Sequence, residues 1–401
     1  MESKPIEKST ARTVALVAAF AAALITSLLL HLNTSWPREA VFMSGIFVLA
    51  AMLWVSEALP LFATALLVLG LEIVLLANPG EWNGFGFENG KSPGFQQILN
   101  TAADPVLLLF FGGFLLARAA TKEGVERAVS SLLLAPFAKR AGLLLLGILG
   151  VTALFSMWMS NTATAAMMIT LVSPIVLRLP PSEPFRKALI LAVPVAANLG
   201  GLSTPIASPP NAVALGFLRK AGFSIGFVEW MMIAVPLMTC LLLLAWGVLW
   251  FLYRPELKEL PLGTEKERLS GRAIYVVCVF TVTALLWLTE SLHGLPAAVV
   301  ALLPAIALTA PGILNRDDLN GIPWNILILI GGGIALGAGM QLSGLDRLIV
   351  QQLPISDQSG SAWLLSALVA GTIVIGTFMS NTAAANLLLP IGMSAAAASG
   401  I

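Results

Sequence analysis

A short polar trio interrupts long apolar sequence twice. Ser160, Asn161 and Thr162 stand in MSNTATAAMM, and Ser380, Asn381 and Thr382 return 220 positions later in MSNTAAAN, each with apolar runs on both sides. Inside a bilayer, polar groups persist only where they face protein, water or a bound molecule. A single trio reads as an ordinary helix start, because Ser, Asn and Thr cap N-termini well. Two trios in equivalent surroundings point elsewhere, since internal repeats of membrane transporters place their sites near the midplane.

The surroundings are membrane-like. The 401 residues are 58% hydrophobic and only 11% charged, against about 25% charged in soluble domains. We expect an all-α polytopic membrane protein in contact with the lipid bilayer. The net charge of +1 gives no sign of nucleic-acid binding. Cys240 and Cys278 lie in apolar runs, which argues against a disulfide framework or a metal cluster. His31 and His293 fall near the ends of apolar runs, with no partner motif that would make them catalytic. The sequence holds no HExxH and no GxSxG, so an intramembrane enzyme is the weaker class. A channel would have to lack substrate saturation and counterflow.

Candidate spans are 13–32, 40–58, 61–77, 105–120, 228–252, 273–291, 296–310 and 324–341. The first exceeds a signal-peptide core and lacks an A-x-A cleavage site, so it reads as a retained helix after a polar cytoplasmic N-terminus, 1–12. Arms 142–158 and 163–177 flank the first trio, and 362–379 and 383–398 flank the second. Such short arms with a polar tip suit re-entrant hairpins, 142–177 in the first half and one within 342–401 in the second. Residues 188–218 form a broken helix, because GGLSTPIASPPNAVALG brings Gly200, Gly201, Thr204, Pro205, Pro209, Pro210 and Asn211 into an apolar stretch. A polar link, 253–272, separates the halves. With the N-terminus inside and each hairpin returning to its own side, 17 of the 22 basic residues fall inside and 5 outside. The two halves then have inverted topology. Trp54, Glu57, Leu59 and Pro60 match Trp287, Glu290, Leu292 and Pro296, and Phe111, Gly112 and Gly113 match Gly331, Gly332 and Gly333 at the trio's own spacing. Glu57 and Glu290 stand at span borders, where local hydrogen bonding suits them better than a coupling role.

A helix that begins inside the membrane presents free N–H groups and a partial positive charge, an anion site that needs no basic side chain. Two such tips can hold the two ends of a dianion. The hairpin arms carry no Lys or Arg between Arg140 and Arg178 or after Arg347. Hydroxyl, amide and carbonyl oxygens are hard ligands that suit Na⁺, and co-bound sodium would balance the dianion.

These motifs resemble the divalent anion–sodium symporter family, whose members carry dicarboxylates, citrate or sulfate. The paired SNT signatures and TPIASPPNA carry the likeness, which extends over nearly the whole chain. It implies a multi-pass protein of the inner (plasma) membrane, a homodimer, and an elevator mechanism with a scaffold (mainly 13–120) and a transport part (121–219, with 228–252 as a connecting span). In the second half it implies repeat helices over 273–341 and the hairpin within 342–401. It implies that Ser156, Ser160, Asn161 and Gly201 serve a first sodium, and that Asn161, Thr162 and Pro209 meet one end of the substrate. Asn381 and Thr382 would hold the other end, with Ser380 and Asn381 at a second sodium. Four positions before the second trio the family carries Thr or Ser, whereas this chain has Gly376 with Thr377 beside it. A counterpart of 200–216 would fall near 420–436, beyond Ile401, so the second half is expected to be incomplete at its C-terminal end. The expected activity is sodium-coupled transport of a small, succinate-like dicarboxylate. Dicarboxylate exchange without net sodium coupling, or a sulfate- or citrate-specific transporter, is the alternative.

Overall fold

A computed structural model of the chain describes residues 5–256, 269–352 and 361–398. Most of the expected link 253–272, and parts of the expected segments 1–12 and 342–401, lie outside the described residues. Among the described residues the regular structure is entirely helical. In chain order the first half holds α1 (Pro5–Asn33), α2 (Arg38–Ser56), α3 (Leu61–Glu72), α4 (Phe95–Ala102), α5 (Val106–Lys122), α6 (Val125–Leu134), α7 (Ala141–Ser156), α8 (Asn161–Arg178), α9 (Phe185–Gly200) and α10 (Pro209–Lys220). Then follow α11 (Phe227–Leu252), α12 (Gly271–Leu288), α13 (Glu290–His293), α14 (Ala297–Val300), α15 (Leu302–Thr309), α16 (Arg316–Asn320), α17 (Trp324–Ser343), α18 (Leu345–Gln352), α19 (Ser361–Phe378) and α20 (Asn381–Ala398). Among the described residues, seven helical stretches are long and apolar enough to cross a membrane. The expected spans all reappear as helices. The returning arm α8 is longer than expected: its 18 residues meet the length and hydropathy of a span. The short amphipathic α4, α6 and α18 were not expected at all.

The helices form two compact units. Unit 1 comprises Met1–Leu107, Val213–Phe223 and Trp324–Ile401; unit 2 comprises Leu108–Ala212 and Ser224–Pro323. Each unit therefore joins the leading helices of one half to the trailing helices of the other, a division that cuts across the two sequence halves.

In unit 1, α17 is the central rod. Every residue from Leu329 to Met340 is buried. Glycine makes this possible: a Cβ on Gly332 would lie 2.5 Å from the Cβ of Ala65 on α3, so the two backbones approach as only small residues allow. Around α17, Met43, Trp54, Val68, Leu76, Met379 and Leu387 close the core. In unit 2, one cluster joins α7, α8, α9 and α11 through residues such as Leu145, Met168, Leu189 and Met238. A second joins α5, α12 and α15 through Leu116, Val276 and Leu308.

The same contacts occur once in each unit. A Cβ on Gly112 of α5 would lie 2.7 Å from the Cβ of Ala301, as Gly332 does against Ala65. Gly112 and Gly332 are matched by the 220 spacing, and Ala65 and Ala301 each stand five positions after the matched prolines Pro60 and Pro296. Trp54 donates its indole N–H to the Leu61 carbonyl (3.2 Å), and Trp287 donates to the Ala297 carbonyl (2.9 Å). Each carbonyl belongs to the residue after the matched proline. Gly124 (φ 67°) and Gly344 (φ 72°) both occupy the left-handed region, where glycine is favoured, and start α6 and α18. Two residues on, Glu126 and Asp346 are both buried. Glu290 accepts from the N–H of Ala297 (3.2 Å), the local role expected of it, and also from the N–H of the sequence-distant Phe227 (3.4 Å), and Glu57 closes α2 in the left-handed region (φ 48°).

Candidate functional site

The first trio sits where α7 ends and α8 begins, within unit 2. Ser160 is the N-cap of α8: its backbone is extended (φ −63°, ψ 141°) and its Oγ accepts from the N–H of Ala163 at 3.3 Å. The N–H groups of Asn161 and Thr162, the first two of α8, have no acceptor within the helix. They lie at the positive end of its dipole. Thr162 is exposed, and Asn161 is half-buried.

Two of the expected residues, Ser156 and Gly201, meet a third, Asn161. The buried Ser156 hydroxyl lies 3.0 Å from Asn161 Oδ1 and 2.6 Å from the Ala197 carbonyl. Asn161 Nδ2 donates to Asn198 Oδ1 at 3.3 Å. Gly201 packs against the amide so closely that a Cβ there would lie 2.5 Å from Asn161 Oδ1. Its neighbour Gly200 faces α7, where a Cβ would meet the Ala153 carbonyl at 2.5 Å. Any side chain at either glycine would push the end of α9 off the tip.

The broken segment is held open by hydrogen bonds rather than by helix. Asn211 Nδ2 donates to the carbonyls of Gly201 (2.9 Å) and Thr204 (2.8 Å). The Thr204 hydroxyl donates to the Met157 carbonyl, tying the break to the turn of the tip. Pro209, half-buried, opens α10 two residues before this clamp. Thr164 Oγ1 and Ser203 Oγ are buried without a hydrogen-bond partner among the described residues. Trp158, inside the tip turn, stacks on Phe227 (centroids 6.0 Å) and Trp287 (6.3 Å). The sequence reading did not assign roles to Trp158, Asn198 or Asn211.

The second trio, within unit 1, has the same skeleton and fewer attachments. Ser380 Oγ accepts from the N–H of Ala383 (3.2 Å), and its carbonyl accepts from Ala384 (3.0 Å), as Ser160 does for Thr164 (3.0 Å). Gly376 holds the position that Ser156 holds in the first tip. A Cβ there would come only to 3.9 Å from Asn381 Oδ1, with nothing nearer, so the place of the hydroxyl is open. Thr377 does not fill it, because its hydroxyl donates to the Ile373 carbonyl (2.7 Å) in its own helix. Asn381 is exposed and Thr382 half-buried.

Each polar helix start, taken within its own unit, offers free N–H groups of the kind that suit an anion. A family model described as "citrate transporter" (CitMHS) matches residues 51–401. The chain belongs to the citrate transporter family. An uncharacterised transporter of Haemophilus influenzae is 32% identical over 386 residues, covering 91% of this chain and 79% of the relative. The sodium-dependent dicarboxylate transporter SdcS of Staphylococcus saprophyticus is 28% identical, covering 92% of this chain and 75% of its own length. The inorganic phosphate transporter PHO87 of Saccharomyces cerevisiae is 29% identical over 85% of this chain, which spans only 37% of that longer protein. Members of the citrate transporter family are membrane transporters, and the apolar helices described above are the matching architecture.

Proposed function

We propose that this member of the citrate transporter family is a secondary active transporter that moves a small, succinate-like dicarboxylate with Na⁺ across the plasma membrane. The observation that carries the reading is the first tip. Ser156, Asn161 and Gly201 converge there beside the free N–H groups of α8. Hydroxyl and amide oxygens with a nearby carbonyl are ligands for sodium, and the helix start is a place for a carboxylate. The name of SdcS supports both cargoes. Asn161, Thr162, Pro209, Asn381 and Thr382 are the proposed substrate contacts. Ser156, Ser160, Asn161 and Gly201 are the proposed sodium ligands, with Ser380 and Asn381 as a second and poorer set. Matched contacts in the two units support an inverted repeat. A homodimer, an elevator motion and a cytoplasmic N-terminus complete the proposal.

Two other readings have a specific observation behind them. The open place at Gly376 favours exchange without net sodium coupling. The likeness to PHO87 favours inorganic phosphate as cargo. One experiment separates all three: uptake of labelled succinate and of labelled phosphate into proteoliposomes, with external Na⁺ replaced by K⁺. Succinate uptake that collapses in K⁺ supports the symport. Succinate uptake that needs only internal succinate supports exchange, and phosphate uptake that succinate does not compete with overturns the dicarboxylate reading.

A further inference from the structure

Away from the tips, unit 1 buries an acid that the proposed site does not use. Glu72, the last residue of α3, is 0% exposed, and neither of its carboxyl oxygens has a hydrogen-bond partner among the described residues. The helix widens directly after it into a π-turn, Ile73–Ala77, an irregularity often found at functional positions. The carboxyl fills a notch in α17, where a Cβ on Gly339 would lie 2.4 Å from Glu72 Oε1 and 3.0 Å from Met43 Sδ. Lys220 is the cation that interacts with it, yet the ammonium of Lys220 donates to the Ile334 carbonyl at 3.0 Å. Lys220 also faces Asp104, which Arg219 pairs. Neither α4 nor α17 carries an ionisable residue. On α2, the nearest acid to Met43 in sequence is Glu39, which accepts from the N–H of Glu88.

The matched position in unit 2 shows that the packing there does not require a carboxyl. Counting from the matched prolines, Glu72 corresponds to Leu308 and Thr64 to Val300; by the 220 spacing, Gly339 corresponds to Ala119. Leu308 and Ala119 are both buried in one apolar cluster. Unit 1 puts polar groups at the corresponding places. Among the described residues Thr64 Oγ1 has no hydrogen-bond partner, and Asn386, whose Oδ1 has none either, packs at Gly333 where unit 2 has Ala166 for its match.

Burying an unpaired carboxylate is unfavourable, and a bound proton removes that penalty. Sodium would need several oxygen ligands, and what the notch at Gly339 sets beside the Glu72 carboxyl is a glycine backbone and the Met43 thioether. We propose that Glu72 is a proton-binding site of this protein, separate from the tips, and that the bound proton moves with the transport cycle. The second clause rests on the transport reading above; the first does not.

The test uses the chain in liposomes loaded with a pH-sensitive dye, together with infrared spectra of the same samples. The wild type is expected to show a neutral-carboxyl carbonyl band that disappears at alkaline pH, and internal acidification on adding succinate. Glu72→Gln should lose both. Glu72→Leu, the residue of the matched position, should lose both while remaining monodisperse in detergent. A band that persists in Glu72→Gln, or is missing from the wild type, overturns the site whatever the transport result. A band without acidification, in vesicles that still take up succinate, overturns proton movement alone. Absence of succinate uptake by the wild type, with the titrating band present, counts against the transport reading and leaves the proton site standing.

Discussion

The two tips share a sequence and differ in how they are tied down. In the first, Asn161 is engaged on three sides, by Ser156, Asn198 and Gly201. In the second, Asn381 makes no side-chain hydrogen bond among the described residues, and Gly376 leaves the matching place open. The shared part is local: a Ser cap, a helix start and free N–H groups follow from three residues and the backbone. The different part depends on one position four residues upstream and on the broken segment packed against the tip. A repeated motif thus repeats the helix start proposed for the anion but not the side chains proposed for the cation around it.

The largest effect should come from removing the shared asparagine. Asn161→Ala deletes a proposed ligand and the group that ties the tip to α9, so we expect succinate uptake to fall about 100-fold, the worth of about two hydrogen bonds. Asn381→Ala deletes a ligand without that tie and should cost about 10-fold. Equal losses in matched uptake assays would mean that the attachments of the first tip have no functional weight.

The upstream position gives a finer contrast. Ser156→Ala should raise the sodium concentration for half-maximal uptake about 10-fold, the worth of one buried hydrogen bond. Gly376→Ser places a hydroxyl in the open position, where nothing lies nearer than Asn381 Oδ1. It should lower the sodium requirement about 3-fold and steepen the sodium dependence, a few tenths of a kcal/mol to 1 kcal/mol. Unchanged sodium curves in both variants would remove these positions from the coupling mechanism.

Much of this arrangement is legible in the sequence. Long apolar runs announce the helices, and the polar trios stand out because such residues are costly at membrane depth. The partners of each helix are not legible in that way. Gly112 and Gly332 mark close approaches, but nothing in a periodic pattern says that Gly112 meets Ala301, nearly two hundred positions away. The exchange of leading and trailing helices between the units therefore emerges only from contacts. Other features were visible and passed over. GVER at 124–127 and GLDR at 344–347 recur at the same 220 spacing as the trios. Glu72 is a lone charge inside LVLGLEIVLL, a stronger signal of a membrane-embedded function than Glu57 or Glu290 at span borders.

The units also differ in where they keep their charges, which supplies the smallest prediction. Unit 2 clamps the end of α5 to α16: Arg118 meets Asp318 at 3.1 Å, and Lys122 donates to the same carboxylate. Ala338 and Leu342 hold the matched positions on α17, so the two cations of this clamp have no counterpart there. Burial raises the pKa of Asp318, but the Lys122 ammonium, the Asn315 N–H and the Arg118 guanidinium outweigh it and hold the group below its ordinary value. A depressed folded value means that the charge stabilises the fold above the unfolded carboxylate pKa, and that this contribution fades as pH falls through the folded one. Asp318→Asn should therefore cost about 1–2 kcal/mol near pH 7, since two half-exposed cations lose their partner. The difference from wild type should begin to shrink below about pH 4, where the unfolded carboxylate takes up its proton, and vanish only as pH falls through the lower folded value. Thermal melts in detergent at a series of pH values measure it, and a difference that grows on acidification would mean that Asp318 is not held as a paired anion.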